Sequence, residues 1–174
     1  FYDNNKVYIT GWKYGGTAFV WTMDPDGSNQ TMEELPGKFS EGQRIIVHNG
    51  DVYVGGYFDN GSCYWKNGSK INLTTNADSM GWGIALDNNG DVYTAGYYMK
   101  GHNLIPSFWK NTNRTNLNRP NGGDGEAKYI KIVGNKKIFG GTVMTPHNFL
   151  GYLTKPSYWI NGNRTSCNIG NVND

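Results

Sequence analysis

The sequence predicts an all-β fold, a β-propeller of four blade repeats of about 44 residues, each of four short antiparallel strands. Three observations carry the expectation. Strand-like runs start at Val7, Val52, Val92 and Ile138, 45, 40 and 46 residues apart: Val7-Tyr8-Ile9-Thr10-Gly11, Val52-Tyr53-Val54-Gly55-Gly56, Val92-Tyr93-Thr94-Ala95-Gly96 and Ile138-Phe139-Gly140-Gly141-Thr142. Each run leads to an aromatic segment ending in tryptophan, Trp21, Trp65, Trp109 and Trp159, spaced 44, 44 and 50. The 25 glycines and 23 asparagines supply the positive φ that tight hairpin corners need.

Within a repeat, strands A to D run from the propeller axis outward. Strand A shows apolar pairs at period two, Ile45/Val47, Ile84/Leu86 and Ile130/Ile132. A turn follows (Asn49-Gly50; Asn88-Asn89-Gly90; Gly134-Asn135), where Asn-Gly is a hairpin signal. Strand B is the Val-Tyr run, and strand C carries the tryptophan. Strand D is short and ends in Asn72-Leu73, Asn116-Leu117 and Asn168-Ile169. One large aromatic at a fixed place in every blade is what wedge-shaped sheets need between them, so the four tryptophans read as core.

The repeats divide the single domain 1–174 near 1–40, 41–79, 80–125 and 126–174. Asp3-Asn4-Asn5-Lys6-Val7-Tyr8 resembles the A–B turn at Asp87 to Tyr93, which makes Phe1-Tyr2 the stump of an inner strand and leaves the first blade without a full one. Three readings stay open: an excerpt of a longer propeller, completion by a neighbouring chain at the exposed blade edge, or closure on four blades. The start at Phe1 fits a processed product or a fragment.

Several classes are set aside. A net charge of +2, with 16 scattered Lys and Arg, gives no basic stripe for nucleic acid. No 18-residue apolar run suits membrane insertion. Cys63 and Cys167 fall in different repeats, too few for a zinc site, and read as small buried hydrophobes. Asp24-Pro25-Asp26-Gly27-Ser28-Asn29 and Asp87-Asn88-Asn89-Gly90-Asp91 alternate oxygen ligands but lack the calcium-loop pattern, and read as turns. No metal or cofactor is expected.

Gly50-Asp51-Val52-Tyr53-Val54-Gly55-Gly56-Tyr57, then Tyr64-Trp65-Lys66-Asn67-Gly68 and Leu73, resembles the "GDVYVAGY…YWKNG…NL" propeller repeats of surface and secreted proteins of Bacteroidetes-type bacteria. The likeness spans the chain. It is strongest in the second and third repeats. The first has Trp21-Thr22-Met23-Asp24 in place of Trp-Lys-Asn-Gly, and the fourth has Ile160 for Lys. The resemblance implies an extracellular or cell-surface propeller and hands on no catalytic residue.

A binding face is expected on the side of the B–C and D–A loops. From B-strand glycine to tryptophan the chain runs 10, 9, 13 and, counted from Thr142, 17 residues, so the third and fourth repeats carry B–C insertions, holding His102 and His147. The D–A side adds Glu41, Asp78, Trp82, Asp124 and Glu126. Aromatics beside carboxylates suit a sugar, whose C–H face stacks on a ring while its hydroxyls take hydrogen bonds. Trp82, outside the periodic set, is the leading candidate. Asn-x-Ser/Thr occurs at Asn29, Asn60, Asn67, Asn72, Asn113 and Asn163, against about three by chance, which marks glycosylation candidates on strands C and D.

The expected function is a non-catalytic extracytoplasmic binding module for a glycan or protein partner. The alternative is a structural subunit of a fibre or surface assembly, joined through the incomplete blade. A third is a carbohydrate-active enzyme using Asp124 and Glu126 or Glu33 and Glu34.

Overall fold

The computed structural model describes residues 1–59, 61–74, 78–120, 123–147 and 151–167. Among the described residues sixteen strands form four antiparallel four-stranded sheets, each made from consecutive strands. The first sheet holds β1 (Tyr2–Asp3), β2 (Lys6–Lys13), β3 (Thr17–Met23) and β4 (Thr31–Glu34), and the second β5 (Glu41–His48), β6 (Asp51–Phe58), β7 (Gly61–Lys66) and β8 (Ser69–Asn72). The third holds β9 (Ser79–Leu86), β10 (Val92–Lys100), β11 (Asn103–Lys110) and β12 (Asn113–Asn116), and the fourth β13 (Asp124–Val133), β14 (Lys136–His147), β15 (Gly151–Ile160) and β16 (Asn163–Ser166). Inner strands β5, β9 and β13 neighbour one another, while the outer strands β4 and β12 are fully exposed. This is a β-propeller, with β1 as the two-residue remnant of the first inner strand.

The repeat motifs are the hairpin chemistry of each blade. In the second blade, Lys66 Nζ pairs with Asp51 at 2.8 Å. Asn67, at φ 46°, donates to Asp51 at 2.7 Å and accepts the Val52 N–H at 2.8 Å. The third blade repeats this with Lys110, Asn111 and Asp91. The Gly-Asp-Val-Tyr and Trp-Lys-Asn-Gly strings therefore answer each other across one hairpin. The first blade, which lacks both, keeps a reversed ion pair, Lys6 to Asp24 at 2.5 Å. The lysine partner first, and then the neighbouring amide, hold each of these three carboxyls below the ordinary 3.8. Depressed folded values mean stability that is present above 3.8 and lost as the pH falls through them. Thermal melts of wild type and an Asp51→Asn/Asp91→Asn variant should converge below pH 4, after separating at neutral pH.

The blades stack by one rule. Trp65, Trp109 and Trp159 each sit on the face turned toward the preceding blade and are buried there to 1% exposure or less. Trp65 packs among Ala18, Val20 and Leu35 of the first blade. Trp109 packs among Tyr53, Tyr64 and Leu73 of the second. Trp159 packs among Tyr93, Phe108 and Leu117 of the third. Those leucines follow strand D and are tied back to strand C by backbone bonds, Leu35 to Ala18, Leu73 to Ser62 and Leu117 to Pro106. The carbonyl after the leucine then accepts the indole N–H of the next blade: Trp65 to Pro36 at 2.9 Å and Trp159 to Asn118 at 2.6 Å. Trp109 Nε1 finds no acceptor among the described residues.

Trp21 departs from the expected core placement. It occupies the same position, yet no blade precedes it in the structure, and it is only partly buried. Cys63 is buried in the first interblade cluster, while Cys167 is partly exposed; both are free thiols. The Asp24 and Asp87 segments are turns, with Asp87 accepting the Asn89 and Asp91 N–H groups and Asp26 accepting that of Ser28.

Strand pairing also corrects the repeat register. Trp21, Trp65, Trp109 and Trp159 lie opposite Ile9, Val54, Thr94 and Phe139. The fourth unit therefore aligns on Gly141, with Ile138 in the tyrosine position, and its glycine-to-tryptophan span is 18 residues rather than 17. The insertions are not loops. They lengthen β10/β11 and β14/β15, pairing Lys100 with Asn103 and His147 with Gly151, so these hairpins overhang the face.

Candidate functional site

The same irregularity recurs in three inner strands. A β-bulge falls between Gly42 and Arg44, between Gly81 and Gly83, and between Ala127 and Tyr129. The extra residues are Gln43, Trp82 and Lys128. A bulge bends its strand and re-aims the extra side chain, and here all three point into one cavity of about 280 Å³, completed by Arg44 and Tyr129. The B-strand glycine of these three repeats makes the bulge possible. A Cβ on Gly56, Gly96 or Gly141 would fall on the carbonyl oxygen of Glu41, Met80 or Glu126.

Around this cavity the side chains are interlocked. Trp82 meets Tyr97 at 5.4 Å between ring centroids, tilted by 58°. Lys128 Nζ lies 5.2 Å from the Trp82 ring and 3.2 Å from Glu126. Arg44 stacks over Tyr129 at 4.8 Å, and that ring is itself exposed. Gln43 donates to Glu41 at 3.0 Å. Burial, then the Glu41 carboxylate, pushes the Tyr57 phenol up; burial, then Glu126 and Asp78, does the same for Tyr97.

A second recess of about 340 Å³ opens beside the first and shares Glu41 and Tyr57 with this network. Trp12, Tyr14 and Phe39 line it, Trp12 at 54% exposure, Phe39 at 70% and Tyr14 fully exposed. Large aromatics left in water on one face are unusual in a soluble domain and mark contact surfaces. Together the recesses form an aromatic track from the axis toward the first blade.

Of the residues singled out from sequence, Glu41, Trp82 and Glu126 converge on the axial cavity, and Asp78 adjoins it through Tyr97. Asp124 is occupied elsewhere. Ser40 and Ser79, at the start of their inner strands, accept the N–H of Ala18 and Ser62 in the blade behind. The corresponding residue of the third blade is Pro106, which has no N–H. Its partner position holds Gly125, where a Cβ would press on the proline ring, and Asp124 takes the Leu104 N–H instead, at 3.0 Å, beside Arg119 at 3.8 Å. Asp124 is a blade latch.

His102 is exposed at the tip of the β10/β11 hairpin, and no hydrogen bond among the described residues joins it to the cavity. His147 ends β14 at the tip of the fourth-blade hairpin; its side chain lies outside the described residues. Glu33 and Glu34 sit exposed on the outer strand β4, Glu34 paired with Lys13. Asn29, Asn67, Asn72, Asn113 and Asn163 are exposed on the rim, and Asn60 lies outside the described residues. The Asn67 amide is engaged in its hairpin.

Gln43, Arg44, Lys128, Tyr129, Trp12, Tyr14 and Phe39 were missed by sequence reading. One signal could have found the axial members: a small residue three positions before the inner-strand isoleucine, in Gly42-Gln43-Arg44-Ile45, Gly81-Trp82-Gly83-Ile84 and Ala127-Lys128-Tyr129-Ile130.

No family model matches the chain, and no curated protein matches it. Among solved structures it is similar to an alpha-L-arabinofuranosidase from Clostridium thermocellum, with 14% identity, 88% of this chain and 68% of that chain covered, and a TM-score of 0.43.

Proposed function

We propose that the protein is a non-catalytic, extracytoplasmic module that binds a glycan on the face carrying the bulge residues. The observation behind this reading is the aromatic track: Trp82 and Tyr129 at the axis and Trp12, Tyr14 and Phe39 beside it, with Glu41, Gln43 and Arg44 between them. Sugar rings stack their C–H faces on such side chains, and carboxylate, amide and guanidinium groups hydrogen-bond the hydroxyls. Two recesses sharing one polar bridge suit a ligand of more than one sugar unit. The carboxylates serve as partners of Gln43 and Lys128, which supports a binding role. Exposed acceptor sequences on the rim support a place outside the cytoplasm, since a sugar there would clear the blade interfaces; intact mass checks it.

Trp82→Ala and Trp12→Ala should each weaken binding of the oligosaccharide identified on a glycan array by roughly tenfold, read by calorimetry, with the far-ultraviolet spectrum unchanged. Unchanged affinity in both variants would sink the reading. Sugar release from that oligosaccharide, abolished by Glu126→Gln, would replace it with an enzyme.

A further inference from the structure

We infer that the axial cavity takes an acidic sugar unit, one carrying a carboxylate or a sulfate ester, and that Arg44 is the residue that selects it. The inference rests on the glycan reading above and adds to it the charge of the unit bound at the axis. Among the described residues the cavity of about 280 Å³ is lined by Gln43, Arg44, Trp82, Lys128 and Tyr129, without a carboxylate. Two of these five are cations, Arg44 on β5 and Lys128 on β13, brought to one opening from the second and fourth blades. The strand between them, β9, supplies the Trp82 ring.

Arg44 is held ready for an anion. Its guanidinium carbon lies 4.8 Å from the centre of the Tyr129 ring, a contact that places the fork without spending its N–H groups on an acceptor. No ion pair or side-chain hydrogen bond among the described residues engages it. A planar fork matches the two oxygens of a carboxylate or sulfate in a way that a point charge does not, and such charge-assisted bonds are about twice as strong as those to a neutral hydroxyl. The neighbouring carboxylates are already in use, Glu41 accepting from Gln43 at 3.0 Å and Glu126 pairing with Lys128 at 3.2 Å. Glu126 softens the charge of Lys128, so Arg44 carries the selection and Lys128 adds a second contact. The neighbouring recess has the opposite character. It is lined by the carboxylates of Glu41 and Asp59, and its lysine, Lys13, is paired with Glu34. An uncharged ring against Trp12 and Phe39 suits that recess, which leaves the acidic unit at the axis.

Calorimetry on the 174-residue chain with two matched pairs of ligands tests this: tri-galacturonic acid beside its methyl ester, and sulfated galactotriose beside the unsulfated sugar. Each pair keeps the rings and removes the charge, and a glycan array carrying acidic and neutral sugars extends the comparison. At least one acid should bind about tenfold tighter than its neutral partner, and the pair that shows it tells carboxylate from sulfate. Arg44→Gln, a change at an exposed side chain, should abolish that preference, and Arg44→Lys should restore only part of it. Trp12→Ala should weaken acid and neutral partner by the same factor. A neutral partner bound as tightly as its acid in both pairs, a preference that survives Arg44→Gln, or array hits confined to neutral sugars each overturn the inference and leave the glycan reading standing. An array without any hit overturns both.

Discussion

Replacing Trp65 by alanine should cost about 3–5 kcal/mol of unfolding free energy and lower the melting temperature by roughly 10 °C. The indole is 1% exposed, packs on Ala18, Val20 and Leu35, and donates to the Pro36 carbonyl at 2.9 Å. Truncation removes the contacts between two blades and the hydrogen bond to the Pro36 carbonyl. Trp65→Phe should recover most of the packing and still miss the hydrogen bond. Trp21→Ala, the same change at the same repeat position, should cost well under half as much in this chain, since that indole is only partly buried. Calorimetric melts of the three variants at low protein concentration make the comparison. Equal losses at positions 21 and 65 would contradict the stacking rule.

Gly96→Ala should be the most damaging single-methyl change in the chain, at about 2–4 kcal/mol. Its φ is ordinary, so the cost is not conformational freedom. An added Cβ would land on the Met80 carbonyl oxygen and against Gly81, both backbone, with no side chain able to swing aside. The bulge that aims Trp82 would have to flatten. Loss of stability and loss of glycan binding are therefore expected together. Gly50→Ala is the control: φ is 82° there, but nothing lies near the new methyl group, so about 1 kcal/mol and no loss of binding are expected. Urea melts and binding isotherms on the two variants decide it. A Gly96→Ala protein that binds normally would break the link between the repeat glycine and the site.

The blade motifs were legible in sequence because their chemistry is local. Asp51, Lys66 and Asn67 close one hairpin, and the glycines and asparagines at its corners hold positive φ. The binding face was legible in part. Trp82 stood out because it breaks the tryptophan period, and Glu41 and Glu126 lie at inner-strand starts. Gln43, Lys128 and Tyr129 did not stand out, because a bulge leaves no composition of its own and becomes visible only when two residues oppose one across a ladder. Asp124 read as a member of the site because a carboxylate in a loop looks the same whether it meets a ligand or a backbone N–H. Only the missing donor at Pro106 explains where it went.

By itself the sequence determined four equivalent units, the turn chemistry of each and the large aromatic every interface needs, since all of these rest on contacts within about 45 residues and repeat. Only the tertiary structure decided which tryptophan is core and which faces water. It also decided which bulges converge on the axis and which carboxylate latches blades rather than lining the cavity. Those outcomes depend on which blade lies next to which, and a repeated motif carries no record of whether it has a neighbour.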